Sequence, residues 1–152
     1  MLDWHFKTFD QLSNEQLYAL LKLRQDIFIV EQDCPYSDAD NRDQTALHLS
    51  GYQRDVLVAA LRILPAAADA IASAPELCLG RLVVSASARG KGYGKAAIHQ
   101  ALDYIRQHTA ASQVTLSGQC YLHRFYCELG FESEGDIYLE DGIEHQRFII
   151  RL

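Results

Sequence analysis

No apolar run in the chain approaches the roughly 20 residues that a membrane-spanning helix needs. The opening MLDWHFKTFD sets Asp3 and His5 where a secretory signal would require an unbroken apolar segment. A soluble, cytoplasmic protein with no membrane partner is therefore expected. Paired cysteines are also missing. Cys34, Cys78, Cys120 and Cys127 form no C-x-x-C unit, which argues against zinc and dithiol sites and leads us to expect no metal and reduced, mostly buried thiols. Positive charge is scarce, with 14 Lys and Arg against 20 Asp and Glu for a net charge of −6. That balance excludes the basic face a nucleic-acid partner demands and mildly favours a cationic small substrate. Repeats and low-complexity linkers are absent, so one domain over residues 1–152 is expected.

What is present reads as alternating strands and helices. WHFKTF alternates in the two-residue period of a strand. Ser13-Asn14-Glu15-Gln16 fits a capping box, and apolar residues then recur at three- and four-residue spacing to about Gln32, predicting an amphipathic helix. An aspartate-rich loop, DCPYSDADNRD, follows. TALHLSGYQ and VLVAALRILP predict a hairpin turning at Arg54-Asp55, and PAAADAIASAP predicts a loop or one weak helical turn of variable order. The second half gives a strand LCLGRLVVS, a glycine turn, a helix to about His108, a strand QVTLSGQ and a short helix LHRFYCEL. Gly130 is expected as a left-handed cap over which Phe131 folds back, and DIYLEDGIEHQRFIIRL as a closing hairpin turning at Glu140-Asp141-Gly142.

The turn ARGKGYGKA is the strongest chemical signal. Gly90, Gly92 and Gly94 carry no Cβ, so successive backbone N–H groups can face one concavity. The turn also opens a helix, whose unpaired amides and positive dipole end add to the charges of Arg89, Lys91 and Lys95. Such a site suits a pyrophosphate. Neither a Walker A loop nor a dinucleotide fingerprint fits. Arg89 stands where the first needs glycine and Ala96 where it needs Ser or Thr, while the spacing G-x-G-x-G departs from the second. The run D-A-D-N-R-D is no calcium loop, because Asp43 replaces the required glycine.

Arg89-Gly90-Lys91-Gly92-Tyr93-Gly94 resembles the R/Q-x-x-G-x-G/A signature of the GNAT N-acetyltransferase family, and the preceding LVVS resembles the strand that receives its pantetheine arm. RFYCELGF looks like the family's Y-x-x-x-G-F ending. LRQDIFIVEQDCPY and YLEDGIEH resemble the ElaA-like subgroup, so the similarity spans nearly the whole chain. The resemblance implies an α/β (α+β) fold with a mixed, mainly antiparallel central sheet flanked by helices. It implies acetyl-CoA as co-substrate and an amine, small molecule or protein, as acceptor. It implies cofactor contacts at Leu82, Val83 and Val84, along Arg89–Lys95, and at Tyr126 beside the thioester sulfur. Gln119 stands where many relatives carry asparagine, with a longer arm for the same contact.

Three roles follow from the chemistry of an amine attacking a thioester: an oxyanion donor, a proton source for the leaving sulfur and a base. The resemblance puts the carbonyl near the Val84 N–H. Tyr126, otherwise explained by packing with Leu122, Phe125 and Leu129, is the donor to sulfur. LGRLVV lacks the glutamate that several relatives use as base, so His145, His48 and Glu31 are the candidates. Imidazole has the more suitable unperturbed pKa, about 6.5, and His145 is the first choice. Glu31, Asp38, Asp40 and His48 are the expected acceptor contacts, weighed against a merely solvated acidic loop. No cysteine has an evident paired base, so direct transfer in a ternary complex is expected from a monomer or homodimer. A non-catalytic acyl-CoA sensor or an interaction domain on the same fold is the alternative.

Overall fold

The computed structural model describes residues 1–67 and 70–152. Strand β1 (Asp3–Thr8) leads to helix α1 (Asn14–Arg24), whose capping box is closed on both sides: Gln16 N–H donates to Ser13 Oγ at 3.1 Å, and Ser13 N–H to Gln16 Oε1 at 3.0 Å. The helix expected to run to Gln32 changes pitch at its second half. From Gln25 to Glu31 it is a π-helix, with Gln32 N–H bonded to the Ile27 carbonyl at 3.1 Å and Cys34 N–H to that of Ile29 at 3.2 Å. Ile27, Ile29 and Val30 are β-branched, a class with a slightly lower preference for the α-helix. The π-helix brings Ile27, Phe28 and Glu31 to one cavity wall.

The other elements are β2 (Leu47–Gln53), β3 (Val56–Pro65), β4 (Glu76–Val84), α2 (Tyr93–His108), β5 (Gln113–Gln119), α3 (His123–Glu128), β6 (Glu132–Glu140) and β7 (Ile143–Arg151). They build a seven-stranded sheet of order β1-β2-β3-β4-β5-β7-β6, in which only the β4–β5 pair is parallel. This is the expected mixed, mainly antiparallel sheet flanked by helices. Both hairpin turns fall where the sequence put them. Arg54 and Asp55 (φ 48° and 64°), and Asp141 and Gly142 (φ 50° and 77°), hold the left-handed conformations of tight two-residue turns.

Three details differ from expectation. Strand β6 starts at Glu132, ahead of the expected Asp136, because a bulge at Gly135 (φ 77°) joins two paired stretches. The four cysteines are free, as expected, but none is fully buried and Cys127 is exposed. In the proline-bounded segment, Ala70–Ala74 forms one turn, with Ala74 N–H bonded to the Ala70 carbonyl, whereas positions 68 and 69 lie outside the described residues.

The sheet's faces are unlike. Helix α2 lays Ala97, Ile98, Ala101, Leu102 and Ile105 on one face against Leu49, Leu61, Ile63, Leu77, Val114 and Phe148, all 2% exposed or less. Each large side chain there contributes about 1.5–3 kcal/mol by leaving water. Helix α1 covers the other face with a smaller apolar cluster, Leu20, Leu23 and Ile27 against Ala60 and Val83. That face also carries buried charge, at Arg62 of β3 facing Arg24 of α1 through Asp43.

One topological feature makes room for a ligand. The parallel ladder between β4 and β5 runs only from Glu76↔Gln113 to Leu79↔Leu116. Beyond it, residues 80–84 of β4 and 117–119 of β5 stay paired to β3 and β7 but not to each other, so the sheet's two halves part in the middle. A cavity of about 670 Å³ opens there.

Candidate active site

The mouth of this cavity is bordered by the glycine turn. Gly90 and Gly92 have φ of 75° and 76°, and a Cβ built on either would meet nothing within 4 Å. Their glycine identity answers the backbone conformation and leaves an open cradle in front of it. Gly94 has no positive φ; a Cβ there would lie 3.7 Å from Phe125 and 3.9 Å from Val84, ordinary contact distances. The cations divide. Arg89 pairs with Glu31 at 2.6 Å and Lys95 with Glu128 at 2.7 Å, both solvent-accessible and so weak pairs, while Lys91 makes no ion pair among the described residues. Tyr93 points away from the cavity, packing beside Leu2, Val58, Ala59 and Ala88 with its hydroxyl accepting from Gln53 Nε2.

Leu82, Val83 and Val84 form the β4 wall of the gap. Ser85 N–H donates to the Val58 carbonyl at 2.8 Å, and Val84 lies opposite Ala59. Alternation in an antiparallel ladder then turns the Val84 N–H and C=O away from β3, toward the side where β5 offers no partner. Arg89 Nε reaches that carbonyl at 3.3 Å. Upstream, β4 carries one extra residue opposite Ala60–Arg62, a bulge that holds Arg81 at φ 52°.

Tyr126 enters from α3 and is 7% exposed. Its ring packs against Phe125, Phe131 and Phe148. Gly118 on β5 makes this approach possible: a Cβ there would collide with Tyr126 Cε2. The hydroxyl has no hydrogen-bond partner among the described residues, and Tyr126 lines the cavity. Burial, with a smaller push from Tyr121, raises its pKa to about 12.

His145 faces the same cavity from the other side of the sheet. It pairs with Gln119 on β5 and Tyr138 on β6, whereas Tyr126 covers Gly118, whose side faces the opposite way. The His145 Nδ1–H donates to the Ile143 carbonyl at 2.7 Å, which leaves Nε2 for exchange; it stands 3.3 Å from Glu140 Oε2. Gln119 lines the cavity beside it.

The aspartate loop corrects the sequence reading. Asp38 and Asp43 are 7% and 6% exposed, and with Asp40 they interleave with three arginines from distant elements. Arg24 binds Asp38 and Asp43, each at 2.8 Å; Arg62 binds Asp40 in bidentate fashion at 2.8 Å and Asp43 at 3.0 Å; Arg81 binds Asp38 at 2.8 Å and Asp40 at 3.3 Å. The hydrogen bonds from Arg62 hold the Asp40 carboxyl far below the usual range. Burial works against the Asp43 charge, but bonds from Arg24 and Arg62 outweigh it and lower its pKa. Asp38 and Asp40 thus spend their charge on arginine and do not line the cavity. His48, 1% exposed, does not line the cavity either. Its Nε2–H donates to the Asp43 carbonyl at 2.9 Å, and burial lowers its pKa, keeping the ring neutral. Glu31 does reach the cavity, tied to Arg89.

Sequence reasoning missed several wall residues. Ser117, Glu140, Tyr36, Arg62 and Arg81 all line the cavity. Tyr36 donates to Asp38 Oδ1 at 2.8 Å and carries Arg81 over its ring at 5.5 Å. Gly118 had a signal, an isolated glycine inside a strand, which marks close approach of another group.

Comparison with known proteins agrees with this architecture. The family profile described as "Acetyltransferase (GNAT) domain" matches residues 29–152. Protein ElaA of Escherichia coli (strain K12) is 38% identical over 147 residues, covering 95% of this chain and 94% of that protein. The crystal structure of Escherichia coli ElaA superposes with a TM-score of 0.88 at 36% identity, covering 98% of this chain and 99% of that one. An acyl-CoA N-acyltransferase from Pseudomonas aeruginosa superposes with a TM-score of 0.89, also at 36% identity and with the same coverage. With the parted strands, the glycine turn and these likenesses together, the chain belongs to the GNAT acetyltransferase family.

Proposed function

We propose that this protein transfers the acetyl group of acetyl-CoA to the nitrogen of an amine, small molecule or protein, by direct attack in a ternary complex. The observation that carries the reading is the gap between β4 and β5: one cavity, bordered by the glycine turn, is reached by Tyr126 from one face of the sheet and by His145 from the other. Donor and acceptor can then meet within the sheet, each arriving from its own side.

The residues present fit coenzyme A. The open cradle at Gly90 and Gly92, the first amides of α2 and Lys91 suit its pyrophosphate, and exposed pairs such as Arg89–Glu31 cost little to exchange for phosphate. Gly94 and Lys95 continue this turn into α2, and Tyr93 braces it from behind. Leu82, Val83 and Val84 would receive the pantetheine arm along β4, with Gln119 facing them across the gap. The cofactor supplies the acetyl group as an activated thioester.

The Val84 N–H is the donor to the carbonyl oxygen as that oxygen gains charge. Tyr126 donates a hydrogen bond to the leaving sulfur. Its pKa of about 12 lies well above the roughly 8.5 of a thiol, so it stabilises the thiolate without surrendering its proton for long. His145 Nε2 takes the proton that frees the amine lone pair. The N–C bond forms, the C–S bond breaks, the second amine proton ends on sulfur, and the first leaves to solvent through His145.

The test is release of free thiol from acetyl-CoA across a panel of primary amines. Amine-dependent release is expected, falling about 10²-fold in Tyr126→Phe with coenzyme A affinity retained. Coenzyme A binding without amine-dependent release would leave the protein a sensor.

A further inference from the structure

Of the carboxylates that the sequence offered for an amine, Asp38 and Asp40 belong to arginines, and Glu31 makes an exposed pair with Arg89. One carboxylate on the cavity wall has a different kind of partner. Glu140, the last residue of β6, stands with Oε2 3.3 Å from His145 Nε2. Ser117 Oγ donates to the same Oε2 at 3.1 Å and is itself hydrogen-bonded to the Tyr138 hydroxyl. Glu140, His145 and Ser117 all line the cavity.

The proton count of this group is informative. The Ile143 carbonyl can only accept, so the proton on Nδ1 is fixed by that 2.7 Å bond. In the neutral ring, Nε2 then presents a bare lone pair to a carboxylate oxygen. Two acceptors this close call for a donor between them: a proton on Nε2, a water, or a cation that gives N–H to both. An alkylammonium is such a donor, and it carries the proton that the reaction must remove.

Building on the acyl-transfer reading, we propose that Glu140 and His145 together form the acceptor's ammonium site, with Glu140 selecting for a cationic primary amine. The ammonium donates one N–H to Glu140 Oε2 and one to His145 Nε2. Transfer of the second proton to Nε2 leaves a neutral amine facing the gap and an imidazolium held between Glu140 and the Ile143 carbonyl. Ser117 and Tyr138 are positioning residues, since they fix the carboxylate and touch neither reactant. The acceptor class is an unhindered alkylammonium; alcohols and quaternary ammonium ions lack what the two acceptors require.

The test uses the full chain and n-butylammonium chloride as probe, followed by the ring nitrogen signals of His145 in two-dimensional NMR. Saturable shifts of Nε2 are expected in the wild type, with at least tenfold weaker binding in Glu140→Gln, partial recovery in Glu140→Asp, and no effect of n-butanol or tetramethylammonium. Absence of saturable shifts in the wild type, equal affinity in Glu140→Gln, or equal response to tetramethylammonium would overturn the assignment. Coenzyme A titration of the same samples separates this site from the acyl-transfer reading. Ammonium binding without coenzyme A binding would refute only the latter. Retained coenzyme A binding without ammonium binding would refute only the former.

Discussion

Two loops of the chain are dense in charge, and they use it in opposite ways. The aspartate loop is closed: its three carboxylates meet Arg24, Arg62 and Arg81, of which Arg24 and Arg62 are 1% and 3% exposed. The glycine turn is open: Gly90 and Gly92 face empty space, and the cations around them are exposed. Charge density along a sequence therefore says little about ligands. What matters is whether partners distant in sequence neutralise it out of solvent: β3, the β4 bulge and α1 do so for the aspartate loop, whereas Glu31 and Glu128 meet the turn's cations only in exposed pairs.

That contrast is broken hardest at Asp43, the carboxylate shared by Arg24 and Arg62. Asp43→Ala leaves two buried guanidinium groups short of a partner and should cost about 3–5 kcal/mol, read by urea unfolding. A loss below about 1 kcal/mol would mean that the loop is solvated after all. Next in size is the Tyr126→Phe effect on turnover, about 10²-fold or some 2.7 kcal/mol, which stability measurements should not register. Unchanged turnover with an amine whose chemical step limits the rate would return Tyr126 to a packing role.

The smallest effect is a pH dependence inside the closed loop. Burial lowers the folded pKa of His48 below its ordinary 6.5. The unfolded chain then binds the proton more readily, so stability is fully present above about pH 6.5 and falls as pH drops through the lower folded value. The lowered carboxyls of Asp40 and Asp43 act in the same direction at more acidic pH, where the unfolded carboxylates begin to protonate. Thermal unfolding between pH 8 and 5 should show a decline that His48→Gln flattens. A decline unaltered in the variant would assign it to another group.

Much of the fold was legible in the sequence because its signals are local. The capping box at Ser13, the alternation in VLVAALRILP and the apolar stripe from Ala97 to Ile105 each need only neighbouring residues. The glycine turn was legible for the same reason, since the conformation and the helix start are written in one stretch. Long-range pairing was not. Nothing near Asp38 or Asp40 announces Arg24, Arg62 or Arg81, and nothing in YLEDGIEHQ tells that Glu140 turns toward His145 across the hairpin. The switch to a π-helix at Gln25 was hidden because its apolar residues also satisfy an α-helical spacing.

Calorimetric titration of coenzyme A into the wild type, Gly94→Val and Asp40→Asn puts the two loops side by side. Gly94 has ordinary backbone geometry and room for a Cβ, so the variant keeps its fold while a branched side chain enters the anion turn. Gly94→Val should bind more than about tenfold more weakly, or roughly 1.4 kcal/mol, while Asp40→Asn binds as the wild type does. Equal affinity in folded Gly94→Val, or a loss confined to Asp40→Asn, would contradict the assignment of the glycine turn as the open anion site and the aspartate loop as the closed one.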